Sequence, residues 1–162
     1  MLTNHLWTGL YLGLCLSVVS WMVGIIGHAL LQRTALYGRL SRLNFVRSRA
    51  ANAWLGLAPF KRIIKNSVLR FLNQSLKVEG PHTDLVLLRD RMTGAEIGHL
   101  VGFVFVSAFA VAQSVAISPV FGLAMMIPNA LLNGYPTLLQ QENKRRIDRV
   151  LQRQSSRGVV SR

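Results

Sequence analysis

All nineteen lysines and arginines of this chain fall into two blocks, Arg33–Arg91 and Lys144–Arg162, and the stretches before and between them are almost free of charge. Such segregation marks a multi-span membrane protein, because loops on the cytoplasmic side collect Lys and Arg while external loops shed them. Twelve basic residues lie in the first block and seven in the second. An even number of crossings must therefore separate the two blocks, with both on the cytoplasmic side.

The stretch Leu6–Leu31 has 26 residues and no formal charge. A helix rising about 1.5 Å per residue needs about 20 residues to cross about 30 Å of hydrocarbon, so one tilted span fits. Between Glu96 and Glu142 lie 45 uncharged residues, too many for one crossing and suited to two joined by a tight turn. Ser118-Pro119 is the natural turn, since proline lacks an N–H and disfavours helix in the residue before it. The expectation is an all-α integral membrane protein forming a single membrane domain over 1–162. It has about three transmembrane helices, at about 6–31, 97–117 and 120–139, plus one or two cytoplasmic interfacial amphipathic helices. The N-terminus is expected outside the cell (inner) membrane and the C-terminus in the cytoplasm. A cleaved signal peptide is disfavoured, because residues 1–5 hold no Lys or Arg and the apolar run is overlong. The single cysteine, Cys15, excludes an intramolecular disulfide.

Residues 32–92 form a basic region too long for a simple connection. From Phe60 the apolar positions Phe60, Ile63, Ile64, Val68, Phe71, Leu72 and Leu76 recur three and four apart, which gathers them on one helical stripe. Lys61, Arg62, Lys65, Asn66, Asn73 and Lys77 occupy the other side. This predicts a helix lying in the membrane plane, with packing against the spans as its alternative. Glu79-Gly80-Pro81-His82 reads as a break, followed by a short helix over 83–90. The net charge of +13 also raises nucleic acid as a partner. The basic residues are interleaved with bulky apolar ones and adjoin apolar spans, so anionic lipid headgroups are the expected partner and nucleic acid is not.

No glycine-rich phosphate loop, paired-cysteine metal motif or serine elbow is present, so any chemistry rests on polar residues in or beside the spans. Those are His28, Glu96, His99, Asn133, Tyr135 and Gln140, which the three-span topology places at one membrane level near the cytoplasm. Glu96 and His99 are three apart and share a helix face, where a carboxylate can orient an imidazole acting as base toward a hydroxyl. Thr93-Gly94-Ala95-Glu96 equally fits a capping box, with Thr93 as N-cap. Asn129 and Asn133 share a face and are expected to bond another helix, with a polar cavity as the alternative. Pro128 and Pro136 should bend this span. Gly9 with Gly13, and Gly98 with Gly102, permit close helix approach. His28 reads foremost as an interfacial residue, and a metal held by His28, Glu96 and His99 is the lesser reading.

The segments SVLRFLNQSLKV from Ser67, AEIGHLVGF from Ala95 and NGYPTLLQQENKRRIDRVL from Asn133 resemble the glycosyl-4,4'-diaponeurosporenoate acyltransferase family over roughly residues 50–151. The chain departs from it at Gln140-Gln141-Glu142-Asn143-Lys144, where a Gln-Arg-Tyr-Asn-Arg-like run is expected, and it lacks a Pro-Asp-Gly-like turn near Trp54. The resemblance implies transfer of a fatty acyl group to a sugar hydroxyl of a glycosylated carotenoid, a lipid-soluble acceptor. No bound cofactor is implied; acyl-CoA or another acyl donor would be a co-substrate. It implies His99 as base, Glu96 as its orienter, and Asn133, Tyr135, Gln140 and Asn143 as substrate-binding residues, with Pro136 also matching; His28 joins the substrate-binding candidates by its membrane level alone, and no metal is expected. Arg145 and Arg146 are expected to anchor the tail to lipid rather than hold donor phosphates. The competing expectation is a non-enzymatic subunit or assembly factor binding partner helices. Three spans are few for a self-contained site, so a homo- or hetero-oligomer is expected under either reading.

Overall fold

The computed structural model describes residues 1–45, 53–66 and 84–160. Among them every regular element is helical. Two helices are long and apolar enough to cross a membrane, Leu2–Leu31 and Leu85–Ala116. In chain order the elements are α1 (Leu2–Leu31), α2 (Ala35–Leu40), α3 (Leu57–Asn66), α4 (Leu85–Ala116), α5 (Pro119–Asn129), a π-helical segment (Ala130–Gly134) and α6 (Tyr135–Val160). They divide into two compact units, residues 1–43 with 96–137 and residues 44–95 with 138–162.

The first unit is built on small residues. The buried positions of α1 are Gly9, Gly13, Ser17, Ser20 and Gly24, spaced four, four, three and four apart, so they form one stripe. Its large apolar side chains, among them Trp7, Tyr11, Val18, Met22 and Ile25, point outward and are exposed. A water-soluble helix buries its bulky face, whereas a helix surrounded by lipid gains association from close backbone contact at glycine and serine. A Cβ at Gly13 would lie 2.6 Å from the backbone of Met125, and one at Gly9 would lie 2.5 Å from the carbonyl of Phe121. Farther along α1, Gly24 presses directly on the backbone of Gly98 in α4. Ala110, Phe121 and Met125 close the core between α4 and α5, with Leu12 and Leu16 of α1 against them.

The Ser118-Pro119 turn forms where the sequence predicts it. Ser118 caps α5 by accepting from the Phe121 N–H at 3.3 Å, and Pro119 takes the first helical position, where a missing N–H costs nothing. Where the sequence predicts a bend of the following span, the structure holds a π-helical segment. It lies between Pro128 and Pro136, which cannot donate backbone hydrogen bonds, so the helix between them widens its register instead of breaking.

The start of α4 differs from expectation in two ways. The predicted short helix at 83–90 is the first turns of a 32-residue helix. Its N-terminus is held by Asp84, whose Oδ1 accepts from the N–H groups of Val86 at 2.9 Å and Leu87 at 3.0 Å. Thr93 is consequently inside the helix and caps nothing: its hydroxyl donates to the Arg89 carbonyl at 3.0 Å. Gly94 lowers helix propensity by about 1 kcal/mol without ending the helix.

In the second unit, Leu88, Met92 and Ile147 form the core between α4 and α6. Arg89 Nε bonds Asp148 Oδ1 at 2.5 Å across the same interface. The predicted amphipathic helix begins at Leu57, just after Gly56 turns the chain with φ 67°. Leu57 is its buried anchor, whereas Ile63 is exposed. The expected continuation of the stripe from Val68 to Leu76, and the break at Glu79–His82, lie outside the described residues.

Candidate functional site

A connected polar network runs through the first unit where hydrocarbon-like packing would otherwise be continuous. Ser17 and Ser20 on α1 donate to the carbonyls of Gly13 and Ser17, each at 2.7 Å, which leaves their oxygens able to accept. The Asn133 amide, in the π segment, donates to Ser20 Oγ and to Asn129 Oδ1, both at 3.0 Å. Asn129 in turn donates to the Phe103 carbonyl at 3.0 Å and to Ser107 Oγ at 3.2 Å on α4. Ser17, Ser20, Asn129 and Asn133 are all 0% exposed. Amides at this depth would be costly unless satisfied, and their donors bond the two neighbouring helices, as expected of interhelical glue.

One edge of the network is not closed. The imidazole of His99 comes within hydrogen-bonding reach of the Asn133 side chain. Neither His99 Nδ1 nor Asn133 Oδ1 has an aligned partner among the described residues, although both atoms are buried. Gly102 lies beside this point, where a Cβ would stand 2.9 Å from Ser20 Oγ and 3.0 Å from Asn133 Oδ1. Only a hydrogen leaves room there for both polar groups. Glu96, one helical turn before His99, is 1% exposed. With the capping role assigned to Asp84, its position in mid-helix has no N-terminal function to explain it.

The remaining sequence-predicted residues distribute differently. His28 belongs to the first unit, where its Nε2 lies 3.5 Å from the Tyr37 hydroxyl of α2 and its recorded contacts run there rather than to His99. The glycine beside it on α1, Gly27, faces Val101 of α4, where a Cβ would stand 2.7 Å from the Val101 side chain, two residues from His99. Tyr135 ends the π segment, half-buried, in the first unit. Gln140 and Asn143 belong to the second unit, Gln140 buried with its Oε1 lacking a partner among the described residues and Asn143 half-buried. The residues Gln141 and Glu142, where the sequence departs from the expected run, hold that unit together. Gln141 Oε1 accepts from the Phe45 N–H at 2.9 Å, and Glu142 bonds Lys61 at 3.3 Å and Arg146 at 2.5 Å.

Sequence reasoning passed over Ser17, Ser20 and Ser107. For the first two a signal existed, since Ser17 stands four residues after Gly13 on the stripe that Gly9 begins.

The family model of glycosyl-4,4'-diaponeurosporenoate acyltransferase matches residues 33–153, which is most of the chain. The chain belongs to this acyltransferase family. No curated protein and no solved structure matched. The match spans the basic region, all of α4 and α5, the π segment and most of α6, and so includes Glu96, His99 and Asn133. Membership places this acyltransferase among proteins of carotenoid glycoside modification, and it weighs against a non-enzymatic assembly factor.

Proposed function

We propose that the protein moves a fatty acyl group from an activated donor to a sugar hydroxyl of a glycosylated carotenoid or similar glycolipid, within the cell membrane. The observation that carries this reading is the half-buried His99, whose buried Nδ1 lies beside the open edge of the Asn133 network and inside the region matched by the family. With the proton of its other ring nitrogen directed at Asn133, Nδ1 carries the lone pair and accepts the hydroxyl proton as the sugar oxygen attacks the acyl carbonyl. Glu96 stabilises the resulting imidazolium, and Tyr135 and the Asn133 Oδ1 orient the hydroxyl. The donor's leaving group departs with the proton returned by His99. A site on membrane helices suits these substrates, because carotenoid and acyl chain dissolve in the bilayer.

The arrangement proposed for this chemistry has three crossings, α1, the apolar part of α4, and α5 continued through the π segment, with the N-terminus outside. Pigment mass spectrometry on cells carrying His99→Ala tests the mechanism. The expected result is accumulation of the glycosylated acceptor, lighter than the wild-type product by one acyl chain, at normal protein abundance. Full acylation by an equally abundant variant would remove His99 from the reaction.

A further inference from the structure

Acyl transfer at His99 moves charge in two places. The imidazole takes the proton of the attacking hydroxyl, while the carbonyl π electrons move onto the acyl oxygen, which then needs a hydrogen-bond donor aimed at it. The polar network has none to give. An amide nitrogen carries two protons, and those of Asn133 go to Ser20 Oγ and Asn129 Oδ1, while those of Asn129 go to the Phe103 carbonyl and Ser107 Oγ. Ser17 and Ser20 spend their hydroxyl protons on backbone carbonyls.

Trp21 of α1 has an uncommitted donor. Its ring is half-buried, its indole Nε1 is fully buried, and that nitrogen has no acceptor among the described residues. A buried indole N–H ordinarily finds a partner, so an unmatched one calls for a reason.

Helix register places Trp21 beside the open edge of the network. Gly24 presses on Gly98 and Ser20 on Gly102, so Trp21, between Ser20 and Gly24, and His99, between Gly98 and Gly102, fall at one level of the α1–α4 contact. They also share a flank. At about 100° per residue, Gly27 lies about 60° round α1 from Gly24 in one sense and Trp21 about 60° in the other. On α4, Val101 lies about 60° from Gly98 in one sense and His99 about 100° in the other. Gly27 faces Val101 across the contact, which puts that pair on one flank and leaves Trp21 and His99 together on the opposite one. Asn133 closes this second flank, since it reaches His99 and its Oδ1 adjoins Gly102.

We propose that Trp21 is the oxyanion donor, its indole N–H holding the acyl oxygen while His99 Nδ1 draws the sugar proton. This role rests on the acyl-transfer reading above. The sugar C–O bond forms as the carbonyl π pair moves to oxygen; collapse restores the carbonyl and breaks the acyl–donor bond, and the leaving group takes the proton from His99. Trp21 precedes the residues matched by the family, 33–153, so the role comes from the packing of α1 and not from membership.

The test replaces the N–H while keeping the ring. Pigment-producing cells lacking this chain are induced to make the full-length wild type, Trp21→Phe, His99→Ala, or a chain carrying 3-benzothienylalanine at position 21, in which sulfur stands where the N–H was. Mass spectrometry follows the gain of one acyl chain on the accumulated glycoside, at matched protein abundance. The Phe and benzothienyl chains are both expected to acylate about a hundredfold more slowly than the wild type or worse, the usual loss for one oxyanion donor. If Trp21→Phe fails to accumulate, the benzothienyl chain decides alone, because it preserves the packing. A benzothienyl chain working at the wild-type rate overturns the proposal, including where Trp21→Phe is slow, since the ring would then matter only for its shape. No acyl gain from the wild type sinks the acyl-transfer reading and this role with it. A wild-type rate for His99→Ala removes the base and leaves the Trp21 result standing.

Discussion

Asn133 illustrates how one side chain serves packing and chemistry together. Its amide nitrogen joins α1 to the π segment through Ser20 and Asn129, while its oxygen remains open beside His99. Replacing it by Leu removes both bonds and leaves the acceptor oxygens Ser20 Oγ and Asn129 Oδ1 without this donor in an apolar interior, a cost expected at about 1–2 kcal/mol. Thermal or denaturant unfolding in detergent should register that loss, and a variant as stable as the wild type would show that the network contributes nothing. The shared face of Asn129 and Asn133 was legible from their spacing of four. Their serine partners were less so, because a serine in a helix ordinarily satisfies its hydroxyl on its own backbone, as Ser17 and Ser20 also do. What singles these two out is the glycine stripe on which they stand.

The helices divide into those whose ends the sequence announces and those whose ends depend on competing signals. Ser118-Pro119 is unambiguous, since a capping hydroxyl and a first-turn proline act on the same residue pair. At the start of α4 two caps compete, and the outer one prevails because Asp84 satisfies two backbone donors and lets nine further residues, 85–93, join the helix. Asp84→Ala should therefore cost about 1 kcal/mol, while Thr93→Ala should change stability by less than about 0.5 kcal/mol, the reverse of what a capping box at Thr93 requires. Parallel unfolding curves of the two variants decide between them. The contact of α1 with α4 at Gly24 and Gly98 leaves no room for a side chain. Gly24→Val is expected to destabilise by about 1–3 kcal/mol, or to separate the helices, with cysteine cross-linking between α1 and α4 reporting the separation.

At the scale of the whole molecule, α1 carries its bulky apolar side chains outside and its small or polar ones inside, the inverse of a water-soluble helix. If α1, α4 and α5 with the π segment each cross the bilayer, Ser118→Cys should react with an impermeant thiol reagent from outside intact cells, and Ser156→Cys only after permeabilisation. Both are made in a Cys15→Ala background, since Cys15 is the chain's own free thiol. Labelling of both positions from one side would refute the three-crossing arrangement. Charge distribution and apolar run length alone determined that the chain is helical and suited to a membrane, because those depend on summed transfer free energy and not on contacts. The Asp84 start of α4, the π register between the two prolines, the serine partners of the asparagines and the shared flank of Trp21 and His99 were decided only in three dimensions. Each arises where groups distant in sequence compete for one hydrogen bond or one gap, and that competition has no local signature.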